Sequence, residues 1–263
     1  MLNKVFSVMV LSIGTMGVYA GTMGADSQDY NLAGFYAGLG TGYTTLIAKD
    51  SFSVAHALPT PAYNRSIQFT DSAVLFDGHI GYGNYFNQNM YLGAKASIYY
   101  TPLQHDVVAP FSATAGPLLL GGVDVDTFTI KPIYNIDAVL GYEIYPHLLP
   151  FLEAGISFAN VDVNYNVLRT RTNLITGTSA TYATALNDNQ YLTGYNVGVG
   201  ANYQLKKNWF FSSELVYNYL GKSSVNNLVD VPGSADVETR TKTKTNQAVS
   251  LLLSISYLFP ISN

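Results

Sequence analysis

From Gln247 to Phe259 the chain alternates with a period of two. Val249, Leu251, Leu253, Ile255, Tyr257 and Phe259 fall on one face; Ser250, Leu252, Ser254, Ser256 and Leu258 fall on the other. A helix would repeat near every 3.6 residues, so this is a strand. The same pattern predicts strands over Phe35–Leu46, Ser72–Phe86, Met90–Tyr100, Thr127–Tyr145, Pro150–Ala159, Tyr191–Leu205 and Trp209–Tyr219, eight in all with the last one. Each has at least ten residues, enough to cross a bilayer at a tilt of about 45°. One face is wholly apolar and the other is small or mildly polar, rich in Ser and Gly. That is a sheet with its greasy side toward lipid and a tight polar lumen inside.

The connections alternate in length. Asn87–Asn89, Pro146–Leu149 and Lys206–Asn208 are tight turns, whereas Ile47–Asp71, Thr101–Asp126, Asn160–Gln190 and Leu220–Asn246 each run to 25 residues or more. Compact soluble domains seldom hold one loop of that length. The reading is an all-β protein: an eight-stranded antiparallel up-and-down transmembrane β-barrel over residues 34–259, with four long extracellular loops. Short turns and both chain ends would face the periplasm. Aromatic residues gather at both predicted rims, as rings with polar tips do at headgroup level. Strand middles such as Ala154–Ser157 and Gly198–Ala201 lack them.

Composition narrows the function classes. Charged residues make up only 11% of the 263, against about 25% in a soluble domain. The net charge of −4 argues against nucleic acid as a partner, which calls for a basic face. With no Cys, a disulfide scaffold, a thiolate metal site and a Cys nucleophile are excluded. Met1–Ala20 reads as a cleaved signal peptide: Lys4, then an uncharged apolar run, then Val18-Tyr19-Ala20 before Gly21. Residues 21–33 would follow as a periplasmic segment, and 260–263 as a short tail.

The run Gly34-Phe35-Tyr36-Ala37-Gly38-Leu39-Gly40-Thr41-Gly42-Tyr43 resembles the opening strand of OmpA/OmpX-type and opacity-type surface barrels. The final strand resembles their terminal signature, with Tyr257 and the closing aromatic Phe259 as the assembly signal. The resemblance implies a cell outer membrane location and a surface-exposed structural or interaction role, in adhesion or envelope integrity. It implies outer-membrane lipid and lipopolysaccharide as surroundings, with barrel-assembly machinery and periplasmic chaperones as partners in biogenesis. A host or cell-surface ligand would be a further partner. Two departures stand out: four residues follow Phe259, and the peptidoglycan-binding domain of larger relatives does not follow the barrel.

Counting along the alternation places Asp77, His79, Lys95, Lys131, Asp137, Glu143, Glu153 and Glu214 inside. Lys95 is expected to be the hub of a lower layer with Glu143, Glu153 and Glu214; Asp77, Lys131 and Asp137 lie higher. Charges in so narrow an interior must pair or change protonation. Two functions are open to such a cluster: a plug that closes the lumen, or the lining of a narrow cation-preferring pore.

No catalytic motif stands out: there is no Gly-x-Ser-x-Gly elbow, phosphate loop or zinc pattern. No metal site, cofactor or catalytic residue is assigned, and the chain reads as a non-enzyme. Asp77 and His79, with Ser97 or Tyr99 from the next strand, leave an outer-rim lipid hydrolase as a second alternative to the structural role. A buried His satisfied by its Asp is the simpler account. In the loops, Arg169 with Arg171, and Arg240 with Lys242 and Lys244, alternate. If the strands continue above the bilayer, each set forms a row able to contact lipopolysaccharide phosphates. The apolar stretch Pro117–Val123 in the second loop is either a contact site or an extra hairpin packed on itself.

Overall fold

The computed structural model describes residues 31–56, 63–86, 89–102, 104–115, 118–230 and 237–259. The stretch 1–20 expected to be a signal peptide, most of the segment at 21–33 and the tail at 260–263 lie outside the described residues. The described chain forms β1 (Gly34–His56), β2 (Tyr63–Tyr85), β3 (Met90–Tyr100), β4 (Gln104–Ala115), β5 (Leu118–Tyr142), β6 (Leu148–Asn173), β7 (Ser179–Lys206), β8 (Trp209–Asp230) and β9 (Val237–Phe259). All ladders are antiparallel. They run in the order β3-β2-β1-β9-β8-β7-β6-β5, and pairing of β3 with β5 closes the cylinder at eight staves.

The strands run well past the predicted boundaries. β1 continues ten residues beyond Leu46 and β6 continues to Asn173, joined to β7 by Leu174–Thr178 alone. A strand of 23 residues, as in β1, is about 75 Å long, whereas the apolar band is about 25 Å tall. More than half of each long strand therefore stands outside the hydrocarbon. There the outward row is no longer uniformly apolar, and runs such as Thr239–Thr245 are polar at every position, so the sequence pattern reads as loop. The second connection holds the extra hairpin: β4 pairs with Leu118–Thr129 of β5, directly above β3.

Around the membrane band the outward row is apolar and exposed: Phe35, Leu39, Ile80, Leu92, Ile136, Leu140, Leu152, Ile156, Leu253 and Ile255. Aromatics bound it on both sides. Phe86, Tyr142, Tyr145, Trp209 and Phe259 stand at the lower rim; Tyr43, Phe76, Tyr100, Tyr134 and Tyr195 stand at the upper rim. Trp209, Tyr257 and Phe259 meet edge to face at 5.1 and 5.2 Å.

Above the upper aromatics the cylinder divides. The β2–β3 ladder ends at Phe76↔Tyr100, and among the described residues no ladder joins β2 to β4. The β7–β8 ladder ends at Tyr195↔Tyr219. β8 then leaves register with β9 between Tyr219 and Lys222, at Gly221, whose φ of 82° suits glycine. Two four-stranded sheets result, β8-β9-β1-β2 and β4-β5-β6-β7. Across the second seam the Gln190 side chain acts like a strand: its Nε2 donates to Ser224 O at 2.9 Å, and Ser224 N donates to its Oε1 at 3.3 Å.

Candidate functional site

The lumen is filled in three layers. At the periplasmic end Leu32, Tyr36, Tyr91, Val139, Leu149, Phe151, Phe210 and Leu258 form an apolar plug. Leu32 belongs to the short segment ahead of β1, so that segment caps the barrel from below. At the outer end Leu46, Leu75, Tyr99, Phe128, Ile130, Ile133, Val161, Leu192, Val216, Leu220 and Leu252 form a second apolar layer. The charges lie between.

Lys95 is the hub, as its position in β3 predicts. Its Nζ lies 2.5 Å from Glu153 and 2.8 Å from Glu214, all three side chains nearly inaccessible. The Phe151 ring centroid is 5.9 Å away, closing the cation off from below. Asp137 is the register partner of Lys95 and therefore sits at its level, not higher. It accepts from Asn196 Nδ2 at 2.5 Å.

Two members of the expected cluster are elsewhere. Glu143 stands at the lower rim, where the Tyr85 hydroxyl donates to it, because β5 ends at Tyr142 just before the turn. Lys131 leaves the interior altogether. Pro132 lacks an N–H and cannot complete the ladder, and the register shifts between Ile130 and Ile133. Ile130 and Ile133 both face in, and Lys131 pairs with Asp162 at 3.0 Å in a half-exposed bridge. A simple count of alternate residues crosses that bulge without noticing it.

Asp77 and His79 do meet: Asp77 Oδ2 lies 2.6 Å from His79 Nδ1. The third member is Ser256 of β9, 2.8 Å from Nε2, rather than Ser97 or Tyr99. The hydroxyl was missed because β9 is remote in sequence and reaches His79 only across Gly38 of β1. Inward glycines leave room for this filling. A Cβ at Gly81 would fall on the Tyr36 ring, at Gly83 on Tyr91, and at Gly198 on Glu153. A cavity of about 10 Å³ between Tyr36, His79, Lys95 and Glu214 has room for about one water molecule. Among the described residues no group of three or more His, Asp or Glu is placed to hold a metal.

The rows predicted above the bilayer exist as backbone. Arg169 and Arg171 lie on β6, and Arg240, Lys242 and Lys244 lie on β9. By unbroken backbone register they share the parity of Val161 and Val163 on β6, and of Ala248 and Ser250 on β9. Their side chains lie outside the described set.

An apolar girdle between two aromatic rims, around a charged and sealed lumen, is an outer-membrane barrel. The profile of the outer membrane protein β-barrel domain matches residues 6–255. The chain belongs to that family. It is located in the outer membrane. A 31 kDa outer-membrane immunogenic protein of Brucella melitensis is 25% identical over 210 residues, covering 80% of this chain and 79% of the relative. OprG from Pseudomonas aeruginosa has a similar fold, with a TM-score of 0.50 and 15% identity over 90% of this chain and 100% of its own. The attachment invasion locus protein Ail of Yersinia pestis gives a TM-score of 0.36 and 10% identity, over 86% of this chain and 99% of its own. The surface-barrel resemblance read from β1 and β9 is borne out at the level of family.

Proposed function

We propose that this barrel is a surface-exposed interaction protein that binds through its outer sheets. The observation that carries the reading is the division of the wall above the upper aromatics. It leaves strand edges outside the membrane, and the outer part of β7 is one of them. Ser179, Thr181, Ala183, Ala185, Asn187 and Asn189 are exposed, and the run from Ser179 to Asn189 has no Lys or Pro. Soluble proteins blunt such edges with those residues, because an open edge invites another strand. An extended segment of a cell-surface partner could add to it.

The other readings are less well supported. A pore would need a wet path, and two apolar layers enclose the charges. A rim hydrolase would need an open nucleophile, and Ser256 is fully buried beside space for about one water.

Adhesion of cells carrying the protein to epithelial monolayers and matrix coatings tests this. Ala183→Pro and Thr184→Pro differ in which side of β7 loses its N–H. The variant stripped on the open side should lose adhesion yet keep heat-modifiable migration on gels. Undiminished adhesion by both would refute the reading. Steady single-channel currents in planar bilayers would favour the pore instead.

A further inference from the structure

Neighbouring staves are joined by chain connections everywhere except at β1 and β9, the first and last strands. A hairpin turn fixes the register of the strands it joins. The β1–β9 seam has no turn, so side chains must set its register. The chain Asp77–His79–Ser256 lies across this seam. His79 of β2, Gly38 of β1 and Ser256 of β9 are one rung: Gly38 is the register partner of both. Alternate strands are about 9.6 Å apart, twice the spacing of neighbours. Side chains on β2 and β9 can bond across β1 only where β1 carries none. A Cβ at Gly38 would collide with both Ser256 Oγ and the His79 ring.

The adjoining rungs are matched in size as well. Gly40 stands between Asp77 and Ser254, and Gly42 between Leu75 and Leu252. Next to Gly38 on the other side, Tyr36 is large where Gly81 opposite it is absent of side chain. A slip of two residues keeps every side chain on its own face. In one direction it sets Leu258 opposite Gly38, leaving His79 without its hydroxyl. In the other Ser254 comes opposite Gly38 and can replace the hydroxyl, and it is Leu252, set beside Gly40 against Asp77, that opposes the slip.

We propose that Asp77, His79 and Ser256 form a closure latch that selects the register of the terminal strands when the barrel shuts. Ser256 and His79 are positioning residues, and Gly38 is the gap through which they bond.

Register can be read by oxidative cross-linking in the full chain refolded into lipid vesicles. Leu39 and Ile255 are register partners on the lipid face. Leu39→Cys with Ile255→Cys reports the native seam; Leu39→Cys with Tyr257→Cys reports the slip of two that sets Leu258 opposite Gly38. The native pair should cross-link alone in the parent. Ser256→Ala should raise the slipped product relative to the native one by about ten-fold, the scale of one buried hydrogen bond. His79→Gln, whose amide can bond both neighbours, should restore most of the native ratio, in contrast to His79→Ala. Ser254→Ala, one rung away from the histidine, serves as the control. Should Gly38→Ala fail to fold, the Ser256 and histidine variants still decide. An unchanged ratio in Ser256→Ala and His79→Ala, or an equal change in Ser254→Ala, would overturn the latch.

Discussion

The membrane band and the outer extension are made from the same strands, yet they solve opposite problems. In the band, hydrocarbon surrounds the wall and every backbone group must be paired within it. The cylinder is therefore closed, its outside is Leu, Ile and Phe, and its charges are gathered inside around Lys95. Above the upper aromatics, water can satisfy an open edge. There the wall divides into two sheets, and its described outer row mixes Ser51, Ser66, Gln68, Thr70, Ser179 and Thr181 with Val108, Leu119 and Leu168. Thr170 and Thr181, and Thr172 and Ser179, pair their hydroxyls across β6 and β7 at 3.1 and 3.0 Å. The solvent, not the strand, decides whether a ladder must continue. If so, changes in the band should cost the whole fold, and changes in the extension should act locally.

The largest effect belongs to Lys95. Lys95→Met leaves Glu153 and Glu214 buried without their shared cation, and removing one partner of such a pair costs about 3–5 kcal/mol. The barrel should unfold at a clearly lower urea concentration in lipid vesicles, or fail to shift on gels. The triple variant Lys95→Met, Glu153→Gln, Glu214→Gln should regain most of the loss. If Lys95→Met were as stable as the parent, the charged layer would not hold the band together.

Gly81→Val comes next. The new side chain would enter the space of the Tyr36 ring, breaking the lower plug. Overpacking of this kind costs about 1–3 kcal/mol. The same substitution at Gly121 of β5, where a Cβ meets nothing within 4 Å, should leave the unfolding midpoint in place. Equal losses at the two sites would erase the contrast between band and extension. Lys131→Ala should fall nearer the second: its half-exposed bridge to Asp162 contributes at most about 1 kcal/mol.

What the sequence discloses follows the same divide. The closed band is legible because lipid on one side and a packed lumen on the other sharpen the alternation, as in Val249 to Phe259. Lys95, Glu153 and Glu214 could be placed together by counting from the turns. Lys131 could not, because Pro132 inserts a bulge, although a proline inside a strand pattern is a usable warning. Glu143 keeps the parity of Gly141 but stands just past the strand end at Tyr142, which alternation alone does not mark. Ser256 was hidden by distance along the chain; the clue was the run of inward glycines at 38, 40 and 42, which leaves space for something from the neighbouring strands. The extension is legible only in part: Val161, Val163, Tyr165 and Val167 alternate with Asp162, Asn164 and Asn166, whereas a run such as Thr239–Thr245 is polar at every position and has no contrast to read.

The smallest effect on stability is the most telling test of the divided wall. Gln190 is half-buried at the β7–β8 seam, and its amide bonds both backbone groups of Ser224 in place of a missing rung. It also donates to Asp188 Oδ2 at 2.6 Å, which orients it. Such exposed bonds contribute about 0.5–1.5 kcal/mol each. Gln190→Ala should therefore leave heat-modifiable migration almost unchanged. What should change is local: the Ser224 amide should exchange with deuterium faster, since water becomes its only competing partner. Amides below Tyr195 and Tyr219, where the ladder is continuous, should keep their protection. Were those lower amides to loosen as well, the seam would be the top of one cooperative cylinder, and the two sheets would not be separate units. If Ser224 kept its protection in the variant, some other group would be closing the seam, and the free run of β7 would have to begin higher than Gln190.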